Sequence, residues 1–348
     1  MTNLERAEKA LGREVPDRVP IFELLIDQRV IDKAHPGYSY EDFVEKYDID
    51  IALTGTPSSN YRSELIDEEK LIYRDEWGVL RQDSGQSVLF PLEGPIKSEK
   101  DLENYLPPDP YEPYRFFQLE RLINRFKGKR MVGMHVHDAF SYPSYLCGMD
   151  HLLIDLIEKP ALVHELVRIG VEHTKSLIKK AKALGADLFV FGDDYGGENG
   201  PLMSPKHFEQ FFLPGMQEVV QTAKKLGAYT IKHTDGNIMS ILPMIIETGI
   251  DGIHPLDPEA GMDIGEVKKL FGDRVCVIGN IDTGKILTEE TPEIVEQTVR
   301  KTIVDLAPGG GYIIASANSI HPHVKPENYI AMLEATRKFG NYEHIGEK

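Results

Sequence analysis

The chain has 348 residues, a formal net charge of −17, 41% hydrophobic residues and 27% charged residues. A chain of this length and composition can bury a large core, which excludes intrinsically disordered, collagen-like and disulfide-scaffold proteins. The acidic charge argues against a nucleic-acid partner, because a phosphate backbone repels such a surface on average. At about 150 residues per domain, the length alone allows two domains or one large α/β barrel.

The N-terminal residues and the cysteine content indicate the compartment. The first residues are charged and lack an apolar stretch, so we expect no signal peptide. No window approaches the length of apolar sequence that a membrane span needs. Cys147 and Cys276 are too few for a disulfide framework and fit a reducing environment. We therefore expect a cytoplasmic protein with no membrane partner.

Short apolar runs alternate with amphipathic helical patterns along most of the chain, which predicts βα units and a parallel sheet. The candidate strands are Arg18–Phe22, Ile51–Thr54, Met131–His135, Leu188–Phe191, Thr230–His233, Gly252–His254, Val275–Ile278 and Tyr312–Ala315. Eight strands with helices between them predict an α/β fold of the (β/α)8 TIM-barrel type. A doubly wound sheet is the alternative, but no GxGxxG motif follows an early strand.

Helix signals fill the intervals between these strands. Proline at its start and Gly185 just past its end delimit a long amphipathic helix from Pro160 to Leu184. Further helices are predicted over residues 4–13, 204–226 and 292–306, and from Pro326 onward. Residues 57–130 depart from the pattern, with turn residues, the only Trp and a Pro-rich stretch. We predict a single barrel over residues 1–340, with an insertion or lid at 57–130 after the second strand and a polar tail at 341–348.

Active sites in such barrels lie at the C-terminal ends of the strands, so the residues that follow each predicted strand are expected to converge. Polar and ionisable residues are dense at these positions: His135, His137, Asp138, Asp193, Asp194, Tyr195, His233, Asp235, His254, Asn280, Asp282, Asn318, His321 and His323. Apolar packing does not explain this density, which predicts a functional site at this rim.

Several of these residues have a structural alternative. His135 is also explained as a core histidine bonded to a carbonyl, and His137 as a cap of the next helix. Asp193 and Asp194 are adjacent, so an extended segment places them on opposite sides. Two nearby carboxylates can also split their pKa values for acid–base chemistry. We expect at least one of the two to be functional.

His233 and Asp235 form an H-x-D pair, whose spacing puts both side chains on one side of an extended segment. Such a pair can coordinate a metal through imidazole and carboxylate. A hydrogen-bonded His–Asp couple and a helix cap by Asp235 are the alternatives. His321 and His323 have the same spacing, but Pro322 between them favours a loop role.

These motifs resemble the uroporphyrinogen decarboxylase-like superfamily, which includes uroporphyrinogen decarboxylases and cobalamin-dependent methyltransferases. The similarity covers nearly the whole chain and includes an L-x-S-P-x-x-F-x-x-F-x-x-P pattern from Leu202 to Pro214. The other segments that carry it are LERAEKALGREVPDRVPI, RDEWGVLR, IKHTDGNIMS, VIGNIDTGKIL and ANSIHPHVKPENYIAML. The resemblance implies a (β/α)8 barrel whose cleft accepts a tetrapyrrole or a corrinoid carrier.

Departures from the superfamily patterns favour the methyltransferase branch. True decarboxylases carry an early M-R-Q-A-G-R segment whose arginines bind substrate carboxylates, and residues 19–27 lack it here. A polycarboxylated porphyrinogen needs several cationic partners. The relatives that load coenzyme M bind zinc through an H-x-C pair and a later Cys. Here His233 matches the histidine, whereas Asp235 and Asn318 stand at the cysteine positions, which implies a site that acts on an ether oxygen rather than a thiol.

We therefore predict a corrinoid-protein-dependent methyltransferase that moves a methyl group from a small methylated substrate, such as a methoxylated aromatic, to a Co(I) corrinoid. The predicted catalytic residues are Asp193, Asp194, His233 and Asp235, with His233 and Asp235 as ligands of a metal, zinc being the candidate. Substrate or corrinoid contacts are predicted for His135, His137, Tyr195, Asn280, Asp282, Asn318 and His321. The corrinoid is expected on a partner protein. The alternatives are a decarboxylase of a tetrapyrrole or another acid, and a non-catalytic barrel that binds a tetrapyrrole or corrinoid.

Overall fold

The computed structural model describes residues 1–55 and 63–345. Its strands are, in chain order, β1 (Ile51–Gly55), β2 (Glu64–Asp67), β3 (Ile72–Arg74), β4 (Leu80–Gln82), β5 (Phe90–Glu93), β6 (Met131–Val136), β7 (Leu188–Phe191), β8 (Gly196–Gly197), β9 (Gly200–Pro201), β10 (Tyr229–Thr234), β11 (Gly252–Pro255), β12 (Cys276–Ile278) and β13 (Tyr312–Ile313).

The helices alternate with groups of these strands along the chain and pack around them. They are α1 (Asn3–Leu11), α2 (Gln28–Ala34), α3 (Tyr40–Lys46), α4 (Glu99–Glu103), α5 (Phe117–Phe126), α6 (Ser141–Cys147), α7 (Met149–Glu158), α8 (Pro160–Leu184), α9 (Pro205–His207), α10 (Leu213–Lys225), α11 (Leu242–Glu247), α12 (Ile264–Phe271), α13 (Pro292–Leu306) and α14 (Pro326–Phe339).

A curled, parallel seven-stranded sheet organises the molecule, in the order β1-β6-β7-β10-β11-β12-β13. Its strands are buried on both faces, which accounts for the mainly apolar sequences of most of them. Seven of the eight predicted strands are thus confirmed, with ends shifted by at most two residues.

The first predicted strand, Arg18–Phe22, is the exception. The amide of Phe22 donates to the carbonyl of Ile314 at 3.0 Å, and the amide of Asp50 donates to the carbonyl of Ile21 at 3.1 Å. These residues therefore bond to both edges of the sheet, but through isolated bridges rather than a continuous ladder. The proline at position 20 contributes to this interruption, because it has no amide proton to donate.

The predicted insertion contains a separate antiparallel sheet in the order β2-β3-β4-β5. It is held to α6, where the amide of Ile96 donates to the carbonyl of Leu146 at 2.9 Å. Within the predicted insertion, α5 instead packs against β1 and β6 of the parallel sheet. Residues 56–62 and 346–348 lie outside the described part of the chain, and a lid function for the insertion and the limits of the tail stay predictions.

Most helix predictions are confirmed, and one is wrong in a physically informative way. Pro160–Leu184 and Pro292–Leu306 form α8 and α13 as predicted. The single helix predicted over residues 204–226 is instead α9, a π-helical stretch at Phe208–Phe212, and α10. Pro214, near the start of α10, cannot donate to the preceding turn and its ring crowds that turn, which favours the wider π geometry.

The core has an inner and an outer layer, and α1 plugs one end of the inner layer. Ala7, Ala10 and Leu11 of α1 pack with the apolar residues inside the curled sheet. The amide of Leu4 donates to the carbonyl of Lys129, just before β6, so α1 covers the amino ends of the strands. The carboxyl ends are left as the open face. Among the described helices, none is both long enough and apolar enough to cross a membrane.

Candidate active site

Two neighbouring strands bring together a histidine and two aspartates at the carboxyl end of the sheet. β7 and β10 pair in parallel, and Lys232 lies opposite Phe191. His233 therefore sits beside the end of β7, and Asp194 and Asp235 follow the two strands. The atoms that could bind a metal ion, one from each of these three residues, all lie within 4.8 Å of one another. We refer to Asp194, His233 and Asp235 as the carboxylate–histidine cluster.

In the cluster, the ring nitrogen of the histidine and the carboxylate oxygens of the two aspartates face one another. Nε2 of His233 lies 3.7 Å from Oδ1 of Asp194 and 3.6 Å from Oδ1 of Asp235. The side chain of His233 is 4% exposed, that of Asp235 is 31% exposed and that of Asp194 is 51% exposed. The cluster thus opens to solvent on the aspartate side and is closed on the histidine side.

Close contact of two loops fixes where the aspartates lie. The amide of Asp235 donates to Oδ1 of Asp194 at 2.9 Å, and the amide of Asn237 donates to the carbonyl of Gly197 at 2.8 Å. A Cβ on Gly236 would lie 2.4 Å from the main-chain carbon of Gly196, and Gly236 has φ +78°. Only glycine tolerates both this approach and this conformation.

The charges of the cluster are unbalanced within the described residues. Burial and the charges of Asp194 and Asp257 raise the pKa of Asp235 to about 8. Burial, followed by the charge of Asp193, also raises the pKa of Asp194. Burial lowers the pKa of His233, which keeps its imidazole neutral. Oδ1 of Asp235 is buried without a hydrogen-bond partner. A proton or a cation between the two carboxylates would reduce the repulsion between their charges.

The residues of the cluster fit a divalent metal ion. A neutral imidazole and two carboxylates are accepted ligands of Zn²⁺, and catalytic zinc sites use three protein ligands and keep one position open. In this cluster, the open coordination position would lie on the exposed side and face solvent. Asn318 supports the arrangement, because its Nδ2 donates to Oδ2 of Asp235 at 2.6 Å and leaves Oδ1 available.

A second ionisable pair lies next to the cluster. Nδ1 of His137 and Oδ1 of Asp193 are 2.8 Å apart, and His137 is 24% exposed whereas Asp193 is fully buried. The pKa of Asp193 is lowered although burial opposes this, because His137 and Lys232 favour the charged carboxylate. Asp193 thus holds one ring nitrogen of His137, and the partly exposed ring is placed to exchange a proton with a bound molecule.

A family model for uroporphyrinogen decarboxylase (URO-D) matches residues 83–339. The chain belongs to the URO-D family. This confirms the resemblance read from the sequence motifs.

Individual relatives of this URO-D family chain differ in how much of the chain they match. A uroporphyrinogen decarboxylase of Alkalilimnicola ehrlichii is 23% identical over 98% of this chain and 95% of its own. Another, of Thioalkalivibrio sulfidiphilus, is 28% identical over 53% of this chain, which spans only about half (51%) of that protein. Among solved structures, a methyltransferase from Methanosarcina mazei aligns with TM-score 0.77 at 17% identity, covering 97% of this chain and 99% of its own. At that identity the likeness shows the fold alone.

The other predicted site residues of this URO-D chain are spread along the rim. His135 is half-buried and its ring faces His137, with centroids 5.8 Å apart. Nδ2 of Asn280 donates to the carbonyl of Leu256 at 2.7 Å, and Asp282 accepts from the amide of Gly284 in a turn. His321 accepts from the amide of His323 at 3.3 Å in the loop that its sequence predicts.

Tyr195 needs a correction. Its side chain is fully buried among Phe140, Phe208 and Phe212, and its hydroxyl bonds to the carboxylate of Asp138. Asp138 in turn accepts from Nζ of Lys232 at 2.7 Å. The tyrosine is therefore part of an internal polar network, not of the surface that faces a substrate.

The sequence reasoning gave no role to Lys232, Glu23 or Ser316. Lys232 is fully buried and also donates to the carbonyl of Asp193 at 2.6 Å. A lysine inside the predicted strand Thr230–His233 is the signal that points to it, because a lysine in a strand covered on both faces needs a buried partner. Glu23 carries a comparable signal, since it directly follows the apolar residues Val19–Phe22.

Proposed function

We propose that the protein is a (β/α)8-barrel methyltransferase that moves a methyl group from a small methylated ether, such as a methoxylated aromatic, to the Co(I) corrinoid of a partner protein. The carboxylate–histidine cluster is the observation that carries the proposal. It lies at the carboxyl ends of the strands, which is where enzymes of this architecture place their chemistry. The fold that the chain shares with a methyltransferase supports it further.

The cluster suits activation of an oxygen leaving group. Zn²⁺ held by Asp194, His233 and Asp235 would act as a Lewis acid on the ether oxygen. Thiolates are absent from the cluster: Cys147 and Cys276 are both buried, and burial raises the pKa of each thiol, to about 12 for Cys147. Carboxylate ligands are harder than thiolates and match an oxygen donor better than a sulfur donor.

The pair of His137 and Asp193 would supply the proton that the reaction consumes. A Co(I) corrinoid would supply the electron pair that takes the methyl group, so cleavage of the methyl–oxygen bond would leave an alkoxide or phenolate. The leaving oxygen needs one proton. His137, held at Nδ1 by Asp193, would deliver that proton from Nε2, and the charge on Asp193 would stabilise the protonated ring.

The charge at the rim disfavours a polyanionic substrate. Asp257 and Asp282 lie close enough to Glu259 for their charges to raise its pKa. Two arginines near this end are already engaged: Arg29 with Asp27 at 2.8 Å and Arg81 with Asp75 at 2.5 Å. A porphyrinogen with many carboxylates would require free cations here, whereas a neutral ether would not.

A direct assay tests the proposal. Purified protein is mixed with Co(I) corrinoid and candidate methyl donors, including methoxylated aromatics, and methyl–cobalt absorbance is followed. We expect the signal with at least one donor, one zinc per chain by elemental analysis, and loss of both in His233→Ala. His164→Ala, which removes an exposed histidine of α8, is the control and should behave as the wild type. No methyl–cobalt absorbance with any donor would contradict the proposal.

Decarboxylation is the second candidate, because the family model and the curated relatives carry that name. Release of carbon dioxide from a carboxylated tetrapyrrole or another acid in the absence of any corrinoid would favour it. Tight binding of a corrinoid or tetrapyrrole with no turnover in either assay would instead indicate a binding protein.

A further inference from the structure

Ser316, three residues beyond β13, contacts groups that lead to two members of the carboxylate–histidine cluster. The residue is fully buried. Its main-chain carbonyl faces His254, its hydroxyl faces Glu23 and the carbonyl of Asn318, and its amide donates to the carboxyl of Glu23 at 3.3 Å. One residue is thus connected to His233 through His254 and to Asp235 through Asn318.

The connection to His233 determines which nitrogen carries a proton. Nε2 of His254 lies 3.1 Å from the carbonyl oxygen of Ser316. A carbonyl oxygen only accepts, so Nε2 of His254 is protonated, and the neutral ring is left with an acceptor at Nδ1. His254 is fully buried, and burial disfavours the charged imidazolium. Nδ1 of His233, 2.8 Å from Nδ1 of His254, is therefore the donor.

The consequence appears at the other side of the His233 ring. With its proton on Nδ1, the neutral ring has a lone pair on Nε2, the nitrogen that faces Asp194 and Asp235. His233 and His254 occupy paired positions of β10 and β11, so the strand register itself sets this contact. A metal ligand needs that lone pair, and second-layer hydrogen bonds of this kind orient the ligating histidine.

The connection to Asp235 depends on where the single hydroxyl proton of Ser316 points. The hydroxyl oxygen lies 2.6 Å from the carbonyl oxygen of Asn318 and also contacts Oε2 of Glu23. Because the carbonyl only accepts, the serine proton points to Asn318, and the contact with Glu23 requires a proton on the carboxyl. Burial raises the pKa of Glu23 to about 8, in agreement. Asn318, held in this way, donates its amide to Asp235.

We propose that His254, Ser316 and Glu23 are positioning residues that present the lone pair of His233 and the free oxygen of Asp235 to a divalent metal ion. The inference rests on the metal site of the proposed function and assigns these residues no contact with substrate. Their hydrogen bonds, through the main-chain carbonyl of Ser316 as well as through side chains, fix a tautomer and an orientation in the metal-free protein.

The tautomer of His233 is measured directly. ¹⁵N shifts of histidine-labelled, metal-free protein report which ring nitrogen carries the proton, with the signals of residue 233 assigned through His233→Gln. We expect Nδ1–H for His233 in the wild type and in His254→Gln, whose amide keeps one acceptor and one donor. We expect this preference to be lost in His254→Phe. His173→Phe removes an equally buried histidine elsewhere and should leave the signals unchanged. An Nε2–H tautomer in the wild type would overturn the inference.

Zinc affinity, measured by competition with a chromophoric chelator, provides the second readout. We expect a loss of about 10- to 100-fold in His254→Phe and no change in His173→Phe. Ser316→Ala keeps the carbonyl but removes the hydroxyl, so we expect the His233 tautomer to persist while zinc affinity falls. If His254→Phe does not fold, the wild-type tautomer and Ser316→Ala still decide. Unchanged zinc affinity in Ser316→Ala would contradict the proposal that Ser316 positions Asp235 through Asn318.

These outcomes separate the inference from the proposed function. Neither measurement uses a methyl donor or a corrinoid. If methyl–cobalt never forms but the tautomer and the zinc affinities behave as expected, the function is wrong and the positioning residues stand. If methyl transfer occurs but wild-type His233 carries Nε2–H, the positioning residues are wrong and the function stands. Failure of the wild type to bind zinc would overturn both the metal site and this inference.

Discussion

One oxygen of Asp193 lies 2.8 Å from Nδ1 of His137, and the other accepts from the main-chain amides of Phe140 and Ser141 at 2.7 Å and 3.0 Å. The same carboxylate therefore orients a partly exposed histidine and caps the start of α6. Because one carboxylate from the next βα loop orients the histidine and accepts the cap hydrogen bonds, changes at Asp193 are expected to affect stability and activity together.

Asp193→Asn should lower kcat by about 10²-fold or more, because the amide cannot stabilise a protonated His137. It should also lower the free energy of unfolding by about 1–3 kcal/mol, since a buried charge-assisted contact is weakened. Steady-state methyl transfer and urea unfolding measure the two effects. Asp251→Asn is the control: the Asp251 carboxylate also joins one basic side chain, that of Lys224, to a main-chain amide, that of Thr230, but at the amino end of the strands. Equal losses of activity in both variants would contradict a specific role for Asp193.

Lys232→Met should destabilise the protein by about 3–5 kcal/mol, because it leaves the carboxylate of Asp138 buried without its cation. The double variant Lys232→Met/Asp138→Asn should recover part of this loss. Lys224→Met breaks a more exposed pair with Asp251 and should cost about 1 kcal/mol or less. Chemical denaturation gives all three values. A loss below about 1 kcal/mol in Lys232→Met would show that the internal pair is not needed for the fold.

Gly236→Ala should abolish metal binding, because its Cβ would push the loop that carries Asp235 away from Gly196. Gly227→Ala separates this steric effect from backbone strain: Gly227 has φ +73° but open space around it. The control should lose only about 1–2 kcal/mol of stability and keep full zinc stoichiometry. Zinc content and thermal unfolding distinguish the two. Normal zinc content in Gly236→Ala would show that the two loops can separate without cost to the cluster.

Glu23 predicts a distinctive pH dependence of stability. Its pKa is raised by burial to about 8, so the folded state keeps a proton that the unfolded chain loses above the ordinary value of 4.5. Its contribution to stability is therefore complete below pH 4.5 and is lost as the pH rises through 8. Glu23→Gln imitates the neutral carboxyl at all pH values. It should match the wild type near pH 5 and exceed it by a few kcal/mol near pH 8. If the unfolding free energies of the wild type and Glu23→Gln changed in parallel with pH, the buried, protonated state of Glu23 would be contradicted.

Much of the architecture followed from local sequence. The runs from Met131 and from Leu188 form strands because mainly apolar consecutive residues suit a sheet that is covered on both faces. Pro160 and Gly185 delimit α8 because proline fits the first turn of a helix and glycine its end. Local patterns were insufficient at Arg18–Phe22 and Phe208–Phe212, where prolines interrupt regular hydrogen bonding.

The sequence by itself determined the parallel α/β order, the family, and the rim where His233, Asp194 and Asp235 would meet, since strand ends are readable from apolar periodicity. Only the tertiary structure decided how these residues are connected. The pairing of β10 with β11 sets His233 against His254, and the burial of Glu23 beside Ser316 joins residues 293 positions apart. Proton positions and pKa values depend on such distant neighbours and on exclusion of water, and neither is encoded in any local pattern.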